Sequence, residues 1–328
     1  MHYFYRLAYQ SLVYIYTMKV FFRLFIQGLA FVVLLYLPQV AKAHTEDSNT
    51  INNARLITVA ASQAVVISGT LYALNEIWYK GYERSGFHVK DDMGVWCQVD
   101  KLGHAYSAYS LVAPLSKMYK WAGANSKRSA LYGTVGSLAV LTAIEFMDAY
   151  SAEWGFSYGD MGANVLGAGL YLGQELLWEK QIFQLKFSTQ FKNYSPALLK
   201  ERGEQIYGTN ITERLLKDYN AQTYWLSVDV NYFYKRWPAW LNIAVGYGAE
   251  DMYGAYYNTW KDAEGKYHDM SSIHRYRQML LSLDVNLANI NTRSKFINTV
   301  LDCLTIKIPA PALEYNTKGK FVFHPLYF

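Results

Sequence analysis

The 328-residue sequence predicts an α+β fold, in which an apolar four-helix bundle is followed by a small antiparallel β region. Three observations carry that reading. Apolar stretches of helical length recur up to about residue 185, apolar and polar residues then alternate with period two, and a basic, apolar leader precedes both. The chain therefore divides into residues 1–43, an upstream extension and signal peptide; residues 44–185, the helical bundle; and residues 186–328, a connecting helix and an antiparallel strand-rich region.

The leader accounts for most of the net charge of +5. It contains Arg6, Lys19, Arg23 and Lys42 and no acid, so removing its four bases from 31 leaves 27 against 26 acids. A nearly neutral remainder excludes nucleic acid as a partner. Met18-Lys19 through Arg23 makes a basic start, Leu24 to Leu37 an apolar run, and Ala41-Lys42-Ala43 a small-x-small cleavage site. Cleavage is expected after Ala43, which exports the rest of the chain to the periplasm or the outer membrane of a Gram-negative envelope. No cysteine follows the cut, so lipid attachment there is not expected. An uncleaved anchor is the alternative, because the run from Phe21 to Val40 is long enough to cross a bilayer.

Four apolar segments follow, Ala54 to Trp78, Lys101 to Trp121, Ser129 to Tyr150 and Asp160 to Trp178. Each has helical length, and their Gly, Ala and Ser permit close helix approach. Breaks at Ser62-Gln63, Pro114 and Gly133/Gly136 leave no uninterrupted span, so membrane contact is an expectation and membrane crossing is not compelled. Leu198 to Tyr219 reads as the connecting helix.

Alternation marks the strands. In Leu226 to Tyr232 the residues Leu, Val, Val and Tyr take one face and Ser, Asp and Asn the other, and Leu281 to Leu287 nearly repeats this. Leu241 to Gly248 follows the turn-forming Trp237-Pro238 pair, which predicts a hairpin over 224–248, and Lys320 to Phe323 adds a closing strand. Ile308-Pro309-Ala310-Pro311 reads as an extended, proline-fixed stretch. Strands with aromatic ends and a Leu326-Tyr327-Phe328 terminus share features with outer-membrane barrels. Four or five strands are too few to close one, so a sheet packed on the helices or on a membrane surface is expected.

Ionisable groups inside the apolar helices are the candidate functional residues. Asp100, Lys101 and His104 open the second helix, with Asp100 and His104 on one face. Glu145 and Asp148 end the third. Ser157 reads as the N-cap of the fourth, with Asp160 at the capping-box position, and Asp160, Asn164 and Gly167 share a face. If the bundle closes, these stripes converge.

The series Asp100-Lys101-x-x-His104, Glu145-x-x-Asp148 and Gly155-x-Ser157-x-x-Asp160-x-x-x-Asn164-x-x-Gly167 resembles the YfiM-like predicted periplasmic proteins, a family of unknown function. It is more distantly similar to VanZ-like membrane proteins. The resemblance covers roughly Trp78 to Trp178, and the strand-rich extension looks like a long form of the family. It implies a cell-envelope location and a helical bundle, with membrane or envelope components as partners.

Three uses of the cluster remain open. One is structural, with Lys101 paired to an acid and His104 hydrogen-bonded to Asp148 or Asp160. Another is a divalent metal held by His104, Glu145, Asp148 and Asp160. The last is acid/base chemistry on an envelope lipid or glycan intermediate by His104 and a carboxylate, with Lys101 and Ser157 as further candidates. Cys97 could join that face, or form a disulfide with Cys303 in an oxidising envelope. His88, His268, His274 and His324 read as surface or turn residues.

Overall fold

The computed structural model describes residues 51–79 and 82–328, so the leader and its expected cleavage site lie outside the described residues. Four helices come first: α1 (Asn53–Leu74), α2 (Val99–Trp121), α3 (Ser126–Ala149) and α4 (Tyr158–Trp178). Asn52, Asn125 and Ser157 cap α1, α3 and α4, each accepting from the backbone N–H three residues on, which satisfies a donor the first turn would otherwise leave unpaired. A π-helical turn, Asn75–Tyr79, continues α1.

The tight part of the bundle is α2, α3 and α4. Their core is small and aromatic: Ala108, Tyr109, Val112 and Ala113 of α2 meet Ala130 and Leu141 of α3 and Ala168 and Tyr171 of α4. Glycine sets the approach. A Cβ on Gly133 would lie 2.8 Å from the Val112 carbonyl oxygen, and one on Gly167 only 1.9 Å from that of Ala105. The first helix packs more loosely, burying just Val59 and Gln63 and leaving Ile57, Val65 and Tyr72 exposed. By length and composition, α1 and α3 are long and apolar enough to cross a membrane.

The remainder forms β1 (Phe183–Thr189), α5 (Ala197–Tyr207), α6 (Ile211–Lys217), β2 (Gln222–Val228), α7 (Val230–Phe233), β3 (Leu241–Glu250), β4 (Thr259–Lys261), β5 (Tyr267–Asp269), β6 (Tyr276–Val285), α8 (Lys295–Cys303), β7 (Ala310–Asn316) and β8 (Phe321–Tyr327). Six strands make one antiparallel sheet in the order β1-β2-β3-β6-β7-β8, and β4 pairs with β5. The main sheet is larger than the four or five strands expected, because β1 straddles the change of pattern at residue 185 and the proline-rich stretch leads into β7. The hairpin over 224–248 is present, but its first strand stops at Val228. Asp229 there caps α7, accepting from the Tyr232 N–H. The connecting helix is two helices, α5 and α6.

The faces of this sheet are inverted relative to a water-soluble one. Its buried face carries Trp225 and Ser227, Asn242 and Ala244, Gln278, Leu280, Ser282 and Asp284, and Ala312, Glu314 and Asn316. Its other face carries the cross-strand row Val245, Leu281, Leu313 and Phe323, and beside it Met279, Tyr315 and Phe321, all exposed. Most polar side chains on the inner side are paired, Asp284 through one of its two oxygens. Lys186 Nζ lies 2.6 Å from Asp284, both fully buried, Ser227 donates to Asp284 at 2.6 Å, and Gln278 and His324 reach Glu314 at 3.1 and 2.8 Å. The sheet curls over this interior. Although β2 and β8 are four places apart in the order, the Trp225 and Tyr327 rings meet edge-on at 5.8 Å, and Thr223 hydrogen-bonds Tyr327 at 3.0 Å.

The bundle sits against the outer face of β1 and β2, where Tyr106 of α2 packs on Phe187 and Tyr224 at 5.6 and 5.7 Å. Two expectations about cysteine are corrected here. Cys97 and Cys303 are free thiols in separate surroundings. Cys97 packs with Val99, Ala249 and Met252 just before α2, whereas Cys303 packs on the core far along α2, next to residues whose neighbours Thr305 and Asp302 contact Ser110 and Lys117. At about 1.5 Å per residue, roughly 20 Å of helix separates them, and a disulfide needs Cα atoms within about 7 Å. Three histidines read as surface or turn residues also have partners: His88 bonds the Trp154 carbonyl at 2.7 Å, His268 pairs with Asp262 at 2.7 Å, and His324 reaches Glu314 inside the sheet.

Candidate polar site among the helices

The approach to α2 is a left-handed turn. Trp96, Cys97 and Gln98 have φ of 48°, 52° and 65°, a region that residues with a Cβ occupy at a cost. The sheet half holds it in place. Tyr247 Oη donates to the Cys97 carbonyl at 2.6 Å, Arg277 to the Gln98 side chain at 2.9 Å, and the Trp96 N–H to the Ala255 carbonyl at 2.8 Å. This turn takes Cys97 off the Asp100–His104 face, so the cysteine does not join the cluster.

From there the first turns of α2 carry Asp100, Lys101 and His104 into the bundle. Lys101 is buried, and its ammonium lies 2.7 Å from Asp92, 2.7 Å from Asp160 and 3.1 Å from Asp100. Asp100 also accepts from Tyr219 Oη at 2.8 Å, which ties the cluster to the chain entering β2. His104 stands 3.5 Å from Glu145 through Nδ1 and 3.5 Å from Asp160 through Nε2, with 22% of its side chain exposed. Ser157 caps α4 by accepting from the Asp160 N–H at 3.0 Å. The reciprocal half of the capping box is absent, because the Ser157 N–H donates to Glu145 of α3 at 3.3 Å instead.

Asp148 goes elsewhere. It accepts from Tyr79 Oη at 2.8 Å, and Tyr79 lines a cavity of about 270 Å³ with Asn75, Arg84, Phe146 and Tyr150. His104 therefore pairs with Glu145 and Asp160 and not with Asp148. Asn164 is fully buried, with neither amide atom hydrogen-bonded, and Glu145 Oε1 likewise has no hydrogen bond. Gly167 lies under Ala105 of α2.

Five carboxylates, Asp92, Asp100, Glu145, Asp148 and Asp160, thus surround two cationic side chains, and burial shows in the titration of three of them. Burial, reinforced by Asp160 and Asp148 and opposed by His104, pushes Glu145 up to about 8. Burial pushes Asp148 up to about 7 against the Tyr79 hydrogen bond, and Asp160 up to about 6. Burial pulls Lys101 and His104 down, but the surrounding carboxylates outweigh it and both end above their ordinary values. Asp92 falls below its usual range because hydrogen bonds from Lys101 and Ser157 overcome its burial.

A divalent cation has donors here: Asp100, His104 and Asp160 offer ligand atoms within 4.8 Å of one another. The donor set is contested from within, because Lys101 binds both aspartates and Asp160 offers it the same Oδ1 that faces His104. An ammonium held at 2.7 Å by Asp160 already supplies the positive charge these carboxylates require.

Asp92, Tyr79 and Tyr219 were not foreseen as members. Asp92 precedes the left-handed turn and has no helical spacing to α2, and the tyrosines come from other elements. Only a sequence-distant contact could have revealed them.

Comparison with known families gives one result. Residues 92–173 match the family model described as predicted periplasmic lipoprotein (DUF2279). The match begins at Asp92 and ends within α4, so it spans the whole polar cluster except Tyr79 and Tyr219. Searches of curated proteins and of solved structures found no match.

Proposed function

We propose that this chain is an exported cell-envelope protein with a structural or accessory role, in which the polar cluster is a latch that fixes the packing of α2, α3 and α4 and fastens the sheet to them. The periplasmic description of the matching family supports the location. The YfiM-like and VanZ-like resemblance, cleavage after Ala43 and association with a membrane belong to the same reading. The observation that carries it is the buried Lys101 ammonium, held by Asp92, Asp100 and Asp160 from three segments of chain. Removing one partner from a buried ionic network leaves the others uncompensated, which makes such a network an effective determinant of packing. Thermal unfolding with and without a chelator tests the proposal. A latch closed by lysine melts at the same temperature in both conditions, and a melting temperature that falls on chelation contradicts it.

A second reading is an enzyme acting by metal-dependent or acid/base chemistry on an envelope lipid or glycan intermediate. It is favoured by the Asn164 amide, whose buried polar atoms have no hydrogen-bond partner, as a bound ligand would supply. In that reading His104 and Glu145 exchange the proton. Substituting His104→Ala discriminates. A folded variant of native stability with a lost envelope phenotype supports chemistry, and a destabilised one supports the latch.

A further inference from the structure

The exposed apolar face of the curled sheet is a surface whose partner must be chosen by its chemistry. Along β3, β6, β7 and β8 the outward side chains form two uncharged rows in register, Val245-Leu281-Leu313-Phe323 and Met279-Tyr315-Phe321, each residue between 45% and 73% exposed. Most polar side chains these strands contain are turned inward and paired, and Arg277, on the outer face beside Met279, is bonded to Tyr247 and Gln98, the arrangement of a sheet whose outside is not water. Patches of this size mark an interaction site.

We propose that this face docks on a lipid bilayer, immersed in the hydrocarbon of one leaflet; the inference rests on the envelope location argued above. Two features select lipid. Basic and aromatic groups flank the rows: Phe233, Tyr234, Lys235, Arg236 and Trp240 are exposed in the connection from β2 to β3 at one end, and Lys320 is exposed at the β7–β8 turn at the other. Aromatic rings and cations of this kind suit the headgroup layer of anionic lipids. Two copies of the face pressed together in either direction would set basic ends against basic ends, whereas anionic headgroups complement both. Finally, β8 remains an open edge of the sheet, whereas β1 is bridged at Phe187 to residues 305–307, and an open edge cannot cross hydrocarbon with its backbone groups unpaired, so the sheet lies on the membrane and does not span it.

Flotation of the purified chain with vesicles of phosphatidylglycerol and phosphatidylcholine tests this. The native chain is expected to float with the vesicles, and the triple variant Leu281→Asn, Leu313→Asn, Phe323→Asn to lose partitioning by about tenfold or more while keeping its circular dichroism. A second readout covers the case in which that variant misfolds. Bimane attached at Phe323→Cys in a Cys303→Ser background should be quenched by nitroxide lipids, and bimane at Lys261→Cys spared. Equal flotation of the folded triple variant, equal quenching at both positions, or no flotation of the native chain overturns the proposal. So does a vesicle-free dimer in light scattering that the triple variant abolishes, because the face then belongs to a second copy. None of these outcomes bears on the Lys101 latch, whose failure is read from unfolding measurements without vesicles.

Discussion

The helical and strand halves both bury polar groups and expose apolar ones, yet they do so with different charge balance. Inside the sheet Lys186 meets Asp284, with buried Lys307 beside them pushed down to about 8 by burial, and Glu314 gathers Gln278, Asn316 and His324. Among the helices, five carboxylates surround Lys101 and His104, and burial, with neighbouring carboxylates adding to it, holds three of them near neutrality. The lesson is that burial raises a carboxylate most where neighbouring acids reinforce it and least where an ammonium is bonded to it.

The largest expected effect is loss of the cation that holds these carboxylates together. Lys101→Met leaves Asp92 and Asp160 buried beside each other and should cost about 3–5 kcal/mol in urea unfolding. In the sheet, replacing Lys186 and Asp284 together by Met and Leu removes both charges at once, strands only the Ser227 hydroxyl and the Val285 carbonyl, and should cost less, about 1–2 kcal/mol. If both changes cost the same, the contrast between the two halves fails.

Gly167→Ala comes next. Its new Cβ would sit 1.9 Å from the Ala105 carbonyl oxygen, so α2 and α4 must separate. A cost of about 3 kcal/mol is expected, measured by the same unfolding experiment.

The pH dependence is a smaller, signed effect. Glu145, Asp148 and Asp160 have folded values above their ordinary ones, so the folded state binds more protons than the unfolded chain between about pH 4 and 8. Their contribution is present at low pH and is lost as pH rises through about 6, 7 and 8. Glu145→Gln removes the last of these steps, and should stabilise the protein by about 2 kcal/mol at pH 8 with little change at pH 5. A mutant that tracks the native melting curve at both pH values would show that Glu145 ionises freely.

Smallest is the cap. Ser157→Ala deletes the acceptor for the Asp160 N–H and should cost about 1 kcal/mol. A matching cost from Asn125→Ala, which caps α3 at an exposed position, would mean that Ser157 acts only as a cap.

Much of the helical half was legible in the sequence because helix periodicity and caps are local. Asn52, Asn125 and Ser157 start their helices, and the shared faces of Asp100 with His104 and of Asp160 with Asn164 follow from helix geometry. What was not legible depends on where the chain returns. Tyr219 reaches Asp100 across 119 positions, and Tyr79 draws Asp148 away from His104 across 69. In the strand half the alternation was visible, with Leu226 and Val228 on one side and Ser227 and Asp229 on the other. Which side would be buried was not, since period two fixes only that the faces differ. The inward choice of Ser227 follows from Asp284 and Asn242 on other strands, and that of Asp229 from Lys180 before β1, which no local pattern displays.

The direct test of the latch is a double-mutant cycle on Lys101→Met and Asp160→Asn, read by urea unfolding. If the two side chains hold the helices by their buried contact, removing the second partner after the first costs little, and the cycle returns a coupling of about 2 kcal/mol or more. Costs that add to within about 0.5 kcal/mol would contradict the account, because the contact would then be incidental to the packing.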